Sequence, residues 1–500
     1  MNEVLILLLL KINIMMRRIL TFLFIALSVW TASGQNFLKT AEDTAFVLDH
    51  VYYPQMQLKL SVDFNTRDFS LSPARQTKYS DIDSLKKLIA AEPFKADHYM
   101  ALNAAYGEFH RDKDADTALR KATDLYLADL MKNPADTHAV RALAGIYLRL
   151  MDWQLALAYH NELIRLAPAS AAGYTGLAMI SVMSYDYDEA VNLMQKAIEL
   201  EPGSIDNYCQ MANVMMMKSI FDLNTLDSAA VDSLSYRNII NTAFLKEAIR
   251  KHPENLSLQA LYEALEFSGI MYQCFIDNAD QFTGRGDTIR FVLSGEISEA
   301  LVVTENKMKA YVQKDFKTKI FPYNVLMLIE LLRNNTDGAL QWFNKGIRFN
   351  KRSQNLYENI VGICAITAKK DEAFKLQLRL DSIHPVFNNY FMTAYFYYLE
   401  KNLEQAEKWT RLALEKEPRN FYPLMGMAAI NARKMKFPDA AHYLDKAAGI
   451  SPQHPDVKLL MGILYLFDNS PMMARSAFLE IQKSPDAMNE VQELLDRFWP

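Results

Sequence analysis

Histidines, cysteines and paired carboxylates are the side chains from which a metal site, a nucleophilic centre or an acid–base pair would be built. The sequence has nine histidines and three cysteines, Cys209, Cys274 and Cys364. The cysteines are odd in number and far apart, with no C-x-x-C spacing, so neither a metal site nor a disulfide framework is indicated. Each cysteine is therefore expected to be a buried and unreactive thiol.

The histidines and carboxylates do not form ligand or catalytic sets. Three histidines each precede a proline, which is typical of turns, and the others show no metal-ligand spacing. Asp186 and Asp188 precede an amphipathic stretch, where carboxylates cap the start of a helix. The motifs G-x-x-x-x-G-K-[ST], H-E-x-x-H and G-x-S-x-G are missing from the sequence. We therefore expect no enzymatic activity, no metal and no cofactor.

The composition indicates a folded, helical chain. Apolar residues make up 50% of the 500 residues and charged residues 23%, which is typical of folded proteins. Glycine and proline are scarce, at 16 and 17, which favours helices. The formal net charge is −5 and no basic stretch is interleaved with aromatic residues, so nucleic acid is not an expected partner. The length favours several domains or an elongated array.

Residues 1–34 carry the features of a secretory signal peptide. Arg17 and Arg18 precede an apolar run from Ile19 to Trp30, and small residues follow at Ala32 to Gly34. This pattern predicts cleavage before Gln35 and an exported protein, either periplasmic or secreted. No cysteine stands directly after the apolar run, so the sequence argues against a lipoprotein anchor.

The first 14 residues do not extend this signal. They form a second apolar block, which Lys11 separates from the run that follows. We therefore expect translation to start at Met15 or Met16. The alternative is a single N-terminal membrane anchor, because the two blocks together would then be retained. No later apolar run in the sequence is long enough to span a bilayer.

The rest of the sequence repeats at an interval of 34 residues. Pro134, Pro168 and Pro202 are 34 residues apart, and so are Pro418 and Pro452. Amphipathic stretches such as "MDWQLALAYHNELIRLAP" and "YDYDEAVNLMQKAIELEP" end at these prolines. Because proline cannot continue a helix, it sets the turn that follows.

Each 34-residue repeat can be numbered so that its proline is position 32. Small residues then stand at positions 8 and 20, and large apolar residues at positions 4, 7, 11, 17 and 24. This spacing predicts two antiparallel helices that approach closely where the small side chains meet. A leucine in place of Ala190 should overpack that contact, at a cost of about 1–3 kcal/mol. The signature residues are Ala156, Pro168, Ala190, Pro202, Ala406, Pro418, Ala440 and Pro452.

This pattern resembles the tetratricopeptide repeat family. The resemblance implies an all-α fold, a right-handed α-solenoid of helix pairs with a concave groove. We expect an N-terminal array at 79–255 with an insertion at about 218–237, degenerate helical repeats with an irregular connector at 256–320, and a C-terminal array at 321–500. In the segment 35–78, "MQLKLSVDF" alternates apolar and polar residues, which predicts a strand. Paired with "DFSLS", it would form a small β hairpin cap.

The resemblance also places a partner-binding groove on fixed positions of the first helix of each pair. The early groove is rich in methionine, which adapts to varied apolar surfaces. The late groove is rich in aromatic residues, which suit binding hot spots or stacking on sugars. The alternative is that these side chains form the core between repeats. The candidate groove residues are Arg141, Arg149, Met179, Met183, Asn213, Met217, Phe391, Tyr395, Tyr398 and Tyr422.

A three-residue motif occurs seven times, in which aspartate is followed by serine or threonine and then by an apolar residue. The triplet resembles the O-glycosylation acceptor of exported Bacteroidetes proteins, and the predicted signal fits the same origin. The alternative is that these residues cap helices. The candidate acceptors are Thr44, Ser84, Thr117, Ser228, Ser233, Thr288 and Ser382.

The function implied by the resemblance is that of a non-catalytic scaffold in the bacterial cell envelope. It would bind an unidentified protein or peptide in the concave groove, without a small-molecule cofactor. The alternative is a glycan-binding helical envelope protein, for which the aromatic late groove is the supporting feature.

Overall fold

A computed structural model describes residues 37–38, 40–54, 60–64, 69, 79–109, 111–225, 235–282, 288–314, 316–317, 319–367, 369–482 and 489–499. These residues form α-helices joined by turns, with no strand among them. Within the same ranges, every helix is too short or too polar to span a bilayer. The chain is thus all-α, a solenoid of tetratricopeptide-like helix pairs, and the predicted fold class is confirmed.

The chain separates into two compact units, described here one at a time. The terminal unit comprises residues 1–56 and 386–500, and the central unit comprises residues 57–385. Numbered along the chain, the helices are α1 Ala41–Asp49, α2 Tyr79–Ala91, α3 Ala96–Glu108, α4 Asp112–Lys132, α5 Thr137–Arg149, α6 Trp153–Leu166, α7 Ala172–Met183, α8 Tyr187–Leu200, α9 Ile205–Thr225, α10 Tyr236–Ile239, α11 Ala243–Lys251, α12 Leu256–Asp277, α13 Gly295–Gln313, α14 Phe321–Leu332, α15 Thr336–Gly346, α16 Gln354–Ala365, α17 Lys370–Ile383, α18 Phe387–Leu399, α19 Leu403–Lys416, α20 Phe421–Arg433, α21 Phe437–Ala448, α22 Pro455–Phe467, α23 Pro471–Gln482 and α24 Asn489–Phe498.

Several helix pairs close through three-residue turns with a common backbone geometry. The middle residue of the turn adopts a left-handed conformation, with φ between 56 and 60°. The next residue caps the second helix, as where the Asp186 carboxylate accepts a hydrogen bond from the Glu189 N–H. Among the described residues, those with this positive φ are Met151, Tyr185, Asn334, Lys401, Met435 and Asn469.

The small signature residues lie where the two helices of a pair meet. Ala156, Ala190, Ala406 and Ala440 are each fully buried. The four signature prolines occupy the turns that follow α6, α8, α19 and α21. The three cysteines are buried and none of them forms a disulfide, and burial raises the pKa of the Cys274 and Cys364 thiols to about 12.

Most of the predicted hairpin lies outside the described residues, as do the predicted signal at 1–34 and residues 226–234 of the predicted insertion. Residues 60–64 are described, and they belong to no helix, turn or strand. Val62 and Phe64 are buried, whereas Ser61 and Asp63 are half-buried. One face of this segment is therefore buried, and it packs against helices of the central unit.

Glycine at the left-handed position of a turn should stabilise the fold. Lys401 and Met435 have φ of 60 and 56°, a conformation that disfavours any residue with a Cβ atom. We expect Lys401→Gly and Met435→Gly each to raise the free energy of unfolding by about 0.5–1 kcal/mol. Urea titration measures this change. Lys401→Ala is the matched control, and an equal gain from alanine would show that the backbone conformation is not the cause.

Candidate functional site

In the central unit, asparagine side chains hold the main chain of Ser61. Asn359 on α16 accepts a hydrogen bond from the Ser61 N–H at 2.9 Å and donates to the Ser61 carbonyl at 2.8 Å. Asn324 on α14 donates to the same carbonyl at 3.0 Å and accepts a bond from the Asn359 amide. Both asparagines are buried. Because only main-chain atoms of Ser61 take part, this clamp can hold an extended segment without selecting its sequence.

Further contacts fix the same segment on either side of Ser61. Asn213 on α9 donates a hydrogen bond to the Phe64 carbonyl at 2.9 Å. The Phe69 ring is fully buried and stacks on Phe321, with 4.5 Å between the ring centroids. The segment is therefore bound as an extended peptide is, by main-chain hydrogen bonds and by alternate side chains in pockets.

Residues 35–78 are called the N-terminal segment. In the terminal unit, another part of this segment is held in a similar way. The Tyr398 hydroxyl donates to the Val51 carbonyl at 2.6 Å, and the Arg433 Nε donates to the same oxygen at 3.3 Å. A terminal nitrogen of Arg433 also lies 3.4 Å from the Asp49 carbonyl. Burial is the main cause that raises the pKa of Tyr398, to about 12. The hydroxyl therefore keeps its proton at neutral pH and remains a donor.

Tyr53 fills an aromatic pocket next to this contact. Its ring centroid lies 5.0 Å from that of Phe391 and 5.3 Å from that of Tyr398. Its hydroxyl shares a hydrogen bond of 2.8 Å with Thr410. A Cβ atom on Gly426 would stand 2.7 Å from the Tyr53 ring, so this glycine leaves the ring its space.

The candidate groove residues separate into those that contact the N-terminal segment and those that do not. Asn213, Phe391, Tyr395 and Tyr398 contact the segment within their own units. Tyr422 is 36% exposed and meets the Phe391 ring edge-on. Partner binding by any of these residues stays a prediction. The remaining candidates are exposed, namely Arg141, Arg149, Met179, Met183 and Met217.

Sequence reasoning missed several residues that hold the segment. Asn324 and Asn359 each stand in a strongly apolar helix, in "FPYNVLMLI" and "LYENIVGICA". An isolated amide in such a helix is the signal that could have identified them, because a buried amide needs hydrogen-bond partners. Thr410 and Gly426 carry no comparable signal, since either residue type is common in a helix pair.

A cavity of about 640 Å³ opens in the central unit beside residues 61–63. Its walls come from first helices of successive pairs, with Met179 on α7 and Met216 and Met217 on α9. His160 on α6 also lines it, is 5% exposed, and has no hydrogen-bond partner at either ring nitrogen. A Cβ atom on Gly176 would stand 1.8 Å from the His160 ring. The glycine therefore makes room for the imidazole.

A cluster of titratable side chains near the start of the array has a structural explanation. The Asp97 carboxylate accepts hydrogen bonds from the Tyr126 hydroxyl at 2.6 Å and from His138 at 2.8 Å. The hydrogen bond from Tyr126 is the main reason why the pKa of Asp97 lies below its usual value, and the bond from His138 lowers it further. They join helices α3, α4 and α5. Among the described residues, no group of three metal-ligating side chains is arranged to hold a metal ion.

Comparison with known proteins finds no matching family model and no matching curated relative. Similar solved structures include yeast Tom70, with 13% identity over 80% of this chain and 96% of that chain at a TM-score of 0.35. They also include YrrB, a TPR protein with an unusual peptide-binding site, with 12% identity over 38% of this chain and 99% of that chain at 0.32. Pseudomonas aeruginosa pilF shows 15% identity over 40% of this chain and 91% of that chain, at 0.34. At such identities and TM-scores, the likeness says nothing about partner or function.

The buried imidazole predicts a pH dependence of stability. Burial lowers the pKa of His160 below its ordinary value of 6.5. Below pH 6.5 the unfolded chain takes up a proton at this residue more readily than the folded chain does, so the free energy of unfolding falls as the pH is lowered. His160→Leu removes this titration and the unpartnered nitrogens, and should raise the free energy of unfolding by about 1–3 kcal/mol, more at pH 5 than at pH 8.

Urea titration at the two pH values measures this difference. If the gain from His160→Leu were the same at pH 5 and pH 8, the pKa of His160 would not be lowered in the folded protein.

Proposed function

We propose that this protein is a non-catalytic scaffold of the bacterial cell envelope, which binds a protein or peptide partner in the groove of its helix pairs. The hydrogen bonds from Asn359 and Asn324 to the main chain of Ser61 carry this proposal. They supply what an extended peptide needs in an apolar groove, namely partners for its N–H and C=O groups. The chain's own segment therefore acts as an example of the kind of ligand that the groove accepts.

The groove extends beyond the part that the N-terminal segment fills. Met179, Met183 and Met217 are 39, 50 and 47% exposed. Exposed apolar side chains that cluster on one face are typical of protein interaction sites. Methionine suits such a site because its flexible side chain adapts to the partner. We assign the open, methionine-rich part of the groove to the partner.

The envelope location rests on the signal features of residues 1–34 and on the seven glycosylation triplets. Among the candidate acceptors, Thr44 is half-buried, and Ser228 and Ser233 lie outside the described residues. The other four, Ser84, Thr117, Thr288 and Ser382, are exposed and accessible to a transferase. An exported bacterial protein of Bacteroidetes-like origin is the source that this pattern supports.

The glycan alternative has less support. Stacking on a sugar requires an accessible aromatic face, whereas Phe391 is 0% and Tyr398 6% exposed beneath Tyr53. At Phe391 and Tyr398, a sugar would have to displace Tyr53 together with its hydrogen bond to Thr410. A protein or peptide ligand needs no such displacement, because the open part of the groove lies in the central unit.

Site-specific photocrosslinking tests the proposal. A photoreactive amino acid replaces Met179 or Met217 in the full chain, which is then irradiated in an envelope extract of the source bacterium. We expect one discrete protein, identified by mass spectrometry, at both groove positions. Met131 and Met472 are the matched controls because they are 86 and 72% exposed outside the groove. The same adducts at all four positions, or none at the groove positions, would contradict the proposal.

The complementary variants test the energetics of the same contact. Met179→Asp with Met217→Asp places two charges in the groove, and should weaken capture of the crosslinked partner at least about tenfold because buried carboxylates must be desolvated. Met131→Asp with Met472→Asp makes the same change of charge elsewhere and should leave capture intact. Equal losses in the two double variants would point to a general charge effect and not to the groove.

A further inference from the structure

We propose that an aromatic cluster at one end of the open groove binds an arginine side chain of the partner. The cluster consists of Tyr185, Tyr187 and Phe221, all in the central unit. The inference rests on the proposed function, since it specifies a side chain that the groove partner must carry. It starts from Tyr185, whose ring is exposed although its backbone conformation disfavours any residue with a Cβ atom.

Tyr185 is the middle residue of the turn between α7 and α8, with a left-handed φ of 60°. This conformation costs free energy for a tyrosine, whereas asparagine adopts it more readily, as at Asn334 and Asn469 in other turns. Tyr185 is 70% exposed, so burial of its ring does not offset that cost. Packing therefore does not explain the tyrosine, and backbone strain of this kind is typical of functional sites.

Ring contacts connect Tyr185 with the open groove. The Tyr187 ring meets the Tyr185 ring edge-on, with 6.5 Å between the centroids, and lies tilted against Phe221 at 5.2 Å. Phe221 is 41% exposed, and it follows Ile220, which lines the cavity of the groove together with Met217. A partner segment in the groove can therefore reach the aromatic cluster without leaving the surface of the central unit.

Carboxylates outnumber cations on the turn, the start of α8 and the end of α9, which carry these rings. Asp186 follows Tyr185 in the turn, is exposed, and caps α8. Lys218 lies 3.1 Å from both Asp188 and Asp222, so one cation faces two carboxylates. An aromatic face attracts a cation, and the excess negative charge adds to that attraction. A guanidinium suits such a site because it stacks on a ring and also donates hydrogen bonds to a carboxylate.

The separation of the rings from the methionines sets the spacing in the ligand. Phe221 lies four residues after Met217 on α9, which is about 6 Å along the helix. An extended chain rises about 3.3 Å per residue, so a ligand that contacts both residues covers that distance with two residues. Side chains two positions apart in an extended chain also project to the same side. The partner is therefore expected to carry an apolar residue and an arginine two positions apart.

Peptide binding by the full chain tests this assignment. The probe is the capped peptide Ala-Leu-Ala-Arg-Ala-Leu-Ala, which has a leucine two positions from the arginine on either side. The matched control peptide carries citrulline, which has nearly the shape of arginine without its charge. Methionine methyl groups labelled with ¹³C report binding by NMR, with Met183 and Met217 as the sensors and Met131 as the control. We expect the arginine peptide to shift both sensors and to bind about two- to fivefold more tightly than the citrulline peptide.

Variants at Tyr185 separate recognition from folding. Tyr185→Gly relieves the strained turn, so it should raise the midpoint of urea unfolding and yet lose most of the arginine preference. Tyr185→Phe keeps the ring face and should retain the preference. Lys401→Gly makes the same change of backbone freedom in another turn, so it should raise the midpoint and leave the preference unchanged. Asp186→Asn keeps a capping side chain and removes one charge, so it should reduce the preference.

The inference can fail without the proposed function. Equal binding of the arginine and citrulline peptides to the wild-type protein, or a preference that persists in Tyr185→Gly, would overturn the role of the aromatic cluster. No shift at Met183 or Met217 with either peptide would overturn this end of the groove as the site. Capture of one partner through Met179 and Met217 would still support the scaffold, because crosslinking does not depend on an arginine in the partner.

Discussion

The close contact between the two helices of each pair is the constraint on which the rest of the structure depends. The second helix can approach the first because a fully buried alanine stands at the contact, as at Ala190 and Ala440. The three-residue turn that joins them has a left-handed middle residue, such as Tyr185 or Met435. Each pair then buries one face of its first helix and leaves another free to line a groove.

A polypeptide segment that enters such a groove must have its N–H and C=O groups satisfied. Asn359 satisfies both groups of Ser61 in the central unit, and Tyr398 with Arg433 satisfies the carbonyl of Val51 in the terminal unit. The N-terminal segment is thus held within each unit in the manner of a bound peptide. The part of the groove that it leaves open is lined by Met179, Met216 and Met217.

The helix pairs could be predicted from the sequence because their determinants are local. A small residue such as Ala190 and a proline such as Pro202 recur at 34-residue spacing, and no distant contact is needed to interpret them. The contacts of the N-terminal segment could not be predicted, since Ser61 and Asn359 are 298 residues apart in sequence. The alternation of apolar and polar residues around Val62 indicated an extended segment. The same alternation is expected for a strand in a β-sheet and for a segment bound in a groove, so it could not distinguish the two. His160 carried no signal in the sequence, because its lack of a partner is a property of the packed structure.

Hydrogen exchange at the Ser61 amide tests most directly whether the groove holds an extended segment by its main chain. The amide donates to a buried side chain, so in the full chain its exchange should be slower than in an unfolded peptide by a factor on the order of a hundred or more. Asn359→Ala removes the acceptor and should abolish most of this protection, while amides in the middle of α5 remain protected. Exchange of Ser61 at the rate of an unfolded peptide in the wild-type protein would contradict the bound segment and the clamp together.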